Sequence, residues 1–212
     1  NKMDSYNDNE NPSKKFLNKT SVTDKIPYII IIYLGYCVLC TWNAILSIMD
    51  FFTEFQKDYN PEFVYPMFNF VLNLVFQFTL VVCGNISTYN KRIAFSVIFT
   101  PLCFALIPFA VIFLDGAASF VCTSILIALQ GFGCAIMQST VFGVSGFFPF
   151  KFIIGVSAGN GIVGIAMGVI RYLIILGYGT STDRSNIIRG SVWFFGLATL
   201  TMLAAVLMVP VM

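Results

Sequence analysis

Six stretches of this chain stay apolar for about 20 residues or more, at roughly 27–49, 63–86, 93–114, 120–141, 152–176 and 192–212. A helix rises about 1.5 Å per residue, so each stretch reaches across the ~30 Å hydrocarbon core of a bilayer. Asp50, Asp115 and Lys151 stand at the ends of stretches, and Arg171 falls well inside one. Other charges gather mainly in the gaps. The pattern predicts an all-α membrane protein with six transmembrane helices.

Composition agrees with that pattern. The chain is 58% hydrophobic and 10% charged, whereas soluble domains carry about 25% charged residues. A soluble helical core would need charged outer faces that are missing here. A membrane β-barrel would show alternating segments of about 10 residues, and these runs are continuous. A net charge of +2, with no basic stripe outside the N-terminal tail, gives nucleic acid no footing as a partner.

Residues 1–25 form a polar tail rich in Asn, Ser and Lys, with too few apolar residues to pack. Residues 26–212 are expected to form the six-helix bundle. Lys2, Lys14, Lys15, Lys19 and Lys25 in the tail, with Lys91, Arg92 and Lys151 in gaps on the same side, predict a cytoplasmic tail by the positive-inside rule. That orientation hides the sequon Asn18-Lys19-Thr20 from glycosylation. The short gaps 87–92, 115–119 and 147–151 predict that adjacent helices pack as antiparallel neighbours. Residues 177–190 read as a longer, mobile loop. Pro101 and Pro108 are expected to bend the third helix. The protein is expected to be multi-pass, with the plasma membrane as its location.

Little enzymatic chemistry is on offer. Cys37, Cys40, Cys83, Cys103, Cys122 and Cys134 all lie in or beside the apolar stretches. Cys37 and Cys40 have CxxC spacing, but the chain has no His, and they read as small packing residues. No metal or cofactor is expected. No GxxxxGK[ST] loop is present for an ATP-driven cycle, no TVGYG-like filter for potassium, and no deep carboxylate for a proton relay. No soluble domain interrupts the spans, so an enzyme is not expected.

Polar groups in hydrocarbon are costly, so their placement carries information. Asn69, Asn73 and Gln77 repeat at i, i+4, i+8 in the second stretch, drawing a polar stripe down one helix face. Gln130, Cys134 and Gln138 repeat the spacing in the fourth stretch, and the first holds Trp42-Asn43. Such amides either hydrogen-bond between helices or line a wet cavity; their presence on three helices favours a shared cavity. In the fifth stretch Gly155, Gly159, Gly161, Gly164 and Gly168 include two GxxxG pairs, which predict close helix packing. Arg171 has three options: to pair with an Asp, face a cavity, or snorkel to the surface, which is the favoured expectation.

These residues resemble a known family. Trp42-Asn43 followed by Asp50-Phe51-Phe52-Thr53 is similar to the first helix of equilibrative nucleoside transporters, with Thr41 where that family commonly has proline. The segment from Gln138 through Phe142-Gly143 and Gly146 to Pro149 resembles the family's fourth helix and following turn. Gly159-Asn160-Gly161-Ile162-Val163-Gly164 resembles its fifth-helix Gly-x-Gly-x-x-Gly, and Arg171 an arginine found there in some protozoan members. The resemblance implies the N-terminal six-helix half of a major-facilitator-like bundle, with the C-terminal helices of the same protein missing from this chain. It implies facilitative transport of nucleosides or nucleobases by alternating access. Trp42, Asn43 and Gln138 would then meet substrate, with Leu39 and Leu46 as apolar neighbours; Asn73 and Gln77 join the candidate substrate-binding residues from their own spacing. Substrate, membrane lipid and the missing helices are the implied partners. The alternatives are a six-helix structural or interaction protein, whose amides only hold helices together, and a half-transporter that dimerises.

Overall fold

The computed structural model describes residues 22–83, 88–178 and 184–206. The tail, with its lysines and sequon, lies outside the described residues apart from its last few positions. The described chain is helical, without strands. We number the helices α1 (Val22–Ser47), α2 (Met49–Phe55), α3 (Pro61–Val82), α4 (Tyr89–Phe113), α5 (Gly116–Ser145), α6 (Lys151–Tyr178) and α7 (Arg184–Leu203). All except α2 are long and apolar enough to cross a membrane. In lipid every backbone N–H and C=O must be satisfied internally, which is why a continuous apolar run becomes a helix. The protein is a multi-pass integral membrane protein.

Punctuation sits where local chemistry allows it. Asn60 takes a left-handed conformation, φ 47°, just before Pro61 opens α3. Proline suits the first turn because its missing N–H has no helical partner there. Gly116, at φ 55°, turns the chain into α5. Pro101 and Pro108 lie inside α4 without interrupting it. The expected loop at 177–190 is much shorter: α6 runs to Tyr178 and α7 opens at Arg184, with residues 179–183 outside the described set.

The helices do not pack in chain order. The closest pairing joins α1 to α6, and α4 to α5 comes next; α5 also packs on α3, and α4 on α7. Of the sequence neighbours, α4 and α5 meet the expectation of antiparallel packing fully. The short connection between α3 and α4 does not bring those two together, because α5 inserts beside each of them. Loop length limits how far apart helix ends lie; facing side chains decide which helices touch.

Two apolar clusters fill the bundle. One gathers Phe51, Phe52, Tyr65, Phe104, Phe194 and Phe195 around Ile45 and Ile107. The other joins Leu34 and Val38 of α1 to Val97, Met137, Val141 and Val156. The centre of α5 is enclosed: from Gln130 to Met137 every residue but Phe132 is buried. By contrast α3 buries only Pro61, Tyr65 and Asn69, and presents Phe63, Met67, Phe70, Leu74 and Phe78 outward.

Candidate functional site

The two amide stripes face each other. Asn69 on α3 donates to Gln130 Oε1 on α5 at 3.2 Å. Two turns along, Gln77 donates to Gln138 Oε1 at 2.8 Å and to Asn73 Oδ1 at 2.8 Å. An i, i+4, i+8 spacing on both helices lets these contacts repeat, since it keeps each stripe along the seam. The first group extends to α1. Gln130 donates to Thr41 Oγ1 and approaches Cys134 Sγ at 3.4 Å, and Thr41 lies 3.4 Å from the same sulfur.

The groups differ in exposure. Thr41, Gln130 and Asn69 are buried, with Gln130 at 0% exposure. Asn73, Gln77 and Gln138 are each half-buried. Among the described residues the interhelical option is realised twice, by Asn69 with Gln130 and by Gln77 with Gln138. Buried Gln130 has both its oxygen and its nitrogen engaged by protein partners.

The α1 residues implied by the resemblance stand on another part of the bundle. Trp42 is nearly buried and packs edge-on against Phe70 of α3, ring centroids 4.9 Å apart. Asn43 donates to the Leu39 carbonyl of its own helix at 2.9 Å, and its Oδ1 would lie 3.4 Å from a Cβ at Gly164. Leu39 packs on the main apolar cluster, while Leu46 is exposed. Among the described residues no hydrogen bond joins Trp42 or Asn43 to Gln138. Trp42, Asn43 and Leu46 thus share one face of α1, and Gln138 joins the α3 stripe.

The glycines of α6 divide. A Cβ at Gly159 would overlap the Ile32 carbonyl and come within 2.7 Å of Tyr36 N; one at Gly155 would meet Tyr28 at 3.0 Å. These two glycines are the close seam between α6 and α1. Gly161 and Gly168 meet nothing within 4 Å among the described residues, and Gly164 meets only Asn43. Gly35 and Gly133, which the spacing argument did not single out, are also tight: added methyls would overlap the Val156 backbone and the Thr100 side chain respectively.

Arg171 does not snorkel. It is buried, its Nη2 lies 2.5 Å from Asp50 Oδ2, and its guanidinium sits 6.0 Å from the Phe194 ring centroid. The Asp50 side chain is 60% exposed.

A second polar cluster had no sequence signal. Gln56, in the gap after α2, donates to Ser119 Oγ at 2.8 Å and Thr123 Oγ1 at 3.4 Å, and accepts from Tyr65. Gln56 is 2% exposed. It sits among Glu54, Lys57 and Asp58 in a charge-rich gap, so only the fold reveals that it ties α2, α3 and α5 together. Cys37 and Cys40 are buried within the packing, and Cys40 Sγ lies 3.8 Å from Thr201 Oγ1.

The chain is 28% identical over 177 residues to Equilibrative nucleotide transporter 7 of Arabidopsis thaliana, covering 82% of this chain and 42% of that protein. It is 28% identical over 152 residues to Equilibrative nucleotide transporter 1 of the same plant, covering 69% of this chain and 34% of that protein. Over most of its length the chain is therefore similar to equilibrative nucleotide transporters. It spans less than half the length of these curated relatives. No family model matches it.

Proposed function

We propose that this bundle forms one side of a facilitative carrier for nucleosides, nucleobases or their phosphorylated relatives, working by alternating access and not by catalysis. The reading is supported chiefly by the half-buried amide group Asn73–Gln77–Gln138. It is reachable where the Gln130 group is not, and its carboxamides offer donors and acceptors together. The edges of nucleobases carry both kinds of group. On α1, the face with Leu39, Trp42, Asn43 and Leu46 supplies a flat aromatic surface and an amide. Two names carrying "nucleotide transporter" among the relatives point to the same substrate class.

Alternating access needs a second bundle to rock against. We propose that the outward faces of α3 and α6 receive it. These faces carry Phe70 and Leu74 on one side, and Gly161, Gly164 and Gly168 on the other. Small residues there would let another helix approach closely. Residues beyond this chain or a further copy would supply the partner, and the substrate would sit between.

Gln138 carries the sharpest test. Gln138→Ala removes groups that would pair with the base, an effect of about 1–3 kcal/mol, or roughly 5- to 150-fold weaker apparent affinity. Gln138→Glu keeps shape but loses the amide donors, so base preference should shift. The assay is uptake of radiolabelled nucleosides into intact transport-deficient cells, which also requires the proposed plasma-membrane location. Unchanged apparent affinity for every nucleoside in both variants, at normal surface expression, would overturn the assignment.

The amides also support the structural alternative in part. Asn69, Gln130 and Thr41 are buried and bonded to one another, so this group acts as helix glue whatever the half-buried group does.

A further inference from the structure

Away from the amide stripes, α4 and α7 border an apolar groove of about 580 Å³. Its walls come from Pro108, Phe109 and Ile112 on α4 and from Val192, Gly196 and Leu200 on α7. The α7 wall is open at Gly196, where an added Cβ would meet nothing within 4 Å. The polar residue along it, Thr199, is already satisfied by the Phe195 carbonyl at 2.7 Å. Nothing inside the groove asks for a polar ligand.

Three observations describe what fits. The groove follows α7 from Ile188 to Leu200, about 18 Å at ~1.5 Å per residue. That is close to half of the ~30 Å hydrocarbon core, the depth of a single leaflet. The groove begins in the first turns of α7, so it enters the membrane from the face where α4 ends and α7 starts. Arg189 stands at that end. Its spacing from Val192, Gly196 and Leu200, at i+3, i+7 and i+11, puts it on the groove-bearing side of the helix. Arg189 is exposed, and among the described residues it has no ion-pair partner.

We propose that this groove is a binding site for one glycerophospholipid, with an acyl chain along the groove and the phosphate on Arg189. Burial from water cannot hold a tail there, since the surrounding lipid is equally apolar. Retention comes instead from the fit of the chain between two helices and from the guanidinium, whose planar fork matches phosphate oxygens. Loss of either should loosen the lipid without touching the amide stripes.

The test uses the whole protein in nanodiscs containing a phosphatidylcholine with a diazirine midway along one acyl chain. After irradiation, peptides covering 105–113 and 188–200 should carry more label than the exposed α3 face at 63–82, which samples bulk lipid. Gly196→Phe fills open space from one wall and Ala105→Phe does so from the other. Both should abolish the excess label while leaving the α3 label unchanged. Two plugs from different helices guard against a variant that fails to fold. Arg189→Gln should shorten retention of the phospholipid through a detergent wash severalfold. Groove label equal to that on α3 in the unmodified protein would overturn the proposal. So would excess label that survives both plugs, or Arg189→Gln without effect on retention. Cross-links from the groove to a second copy or to another segment of the chain would also overturn it, since the groove would then be a protein interface.

Discussion

Replacing Gln130 by Leu separates the glue from the reachable amides. Gln130 is fully buried, accepts from Asn69 at 3.2 Å and donates to Thr41. Leucine keeps most of the volume but removes both bonds and strands the Asn69 amide donor and a Thr41 lone pair. An interhelical side-chain bond in a membrane protein is worth about 0.6–2 kcal/mol, so the two together come to about 1–4 kcal/mol. At roughly 2–4 °C per kcal/mol for a chain of this size, a loss near the middle of that range lowers the melting temperature by about 5–10 °C. Gln138→Leu breaks one bond, to Gln77 at 2.8 Å, at a half-buried position where water can replace it; its drop should be clearly smaller. The assay is thermal unfolding of the purified protein in one detergent, followed by size-exclusion recovery after heating. Uptake should rank the variants in the opposite order, with affinity following Gln138. A Gln130→Leu protein as stable as the unmodified one, or less harmed than Gln138→Leu, would refute this division of roles.

Other outcomes follow from single contacts. Gly159→Ala should destabilise by about 1–3 kcal/mol, because even a methyl group overpacks the α1–α6 seam, whereas Gly161→Ala should leave thermal stability unchanged; equal effects would contradict the seam. Asp50→Asn leaves Arg171 buried without a carboxylate, and since Asp50 is largely exposed the loss should be about 1–2 kcal/mol rather than the 3–5 of a fully buried pair. Stability should return in part when Arg171→Gln is added, and strict additivity in a double-mutant cycle would show that the pair is not coupled. Cysteines placed at Lys57 and at Lys91, in a Cys83→Ser background, should react with an impermeant thiol reagent from opposite sides of the membrane. Labelling of both from one side would reverse the expected topology.

The element count was legible because lipid imposes a simple rule: a charge-poor run of about 20 residues has no cheaper structure than a spanning helix. The positions of Asn69, Asn73, Gln77, Gln130 and Gln138 were legible for a related reason, since amides that avoid hydrocarbon must align on one face. Their partners were not. Sequence spacing gives a direction around one helix but says nothing about what stands opposite, so bonding across the seam could not be told from a wet cavity. The glycines show the same limit. Gly159 and Gly168 each close a GxxxG pair, yet one touches the α1 backbone and the other faces open space.

By itself, the sequence determined the solvent, the number of spans and the residues too polar to face lipid, because each follows from local transfer energy along the chain. Only the tertiary structure decided that α1 packs on α6, that Gln56 bridges α2, α3 and α5, and that Arg171 finds Asp50 instead of the surface. Those outcomes depend on which surfaces meet across more than a hundred residues of chain in the Arg171–Asp50 case. They are set by the simultaneous fit of side chains from several helices, which no local pattern encodes.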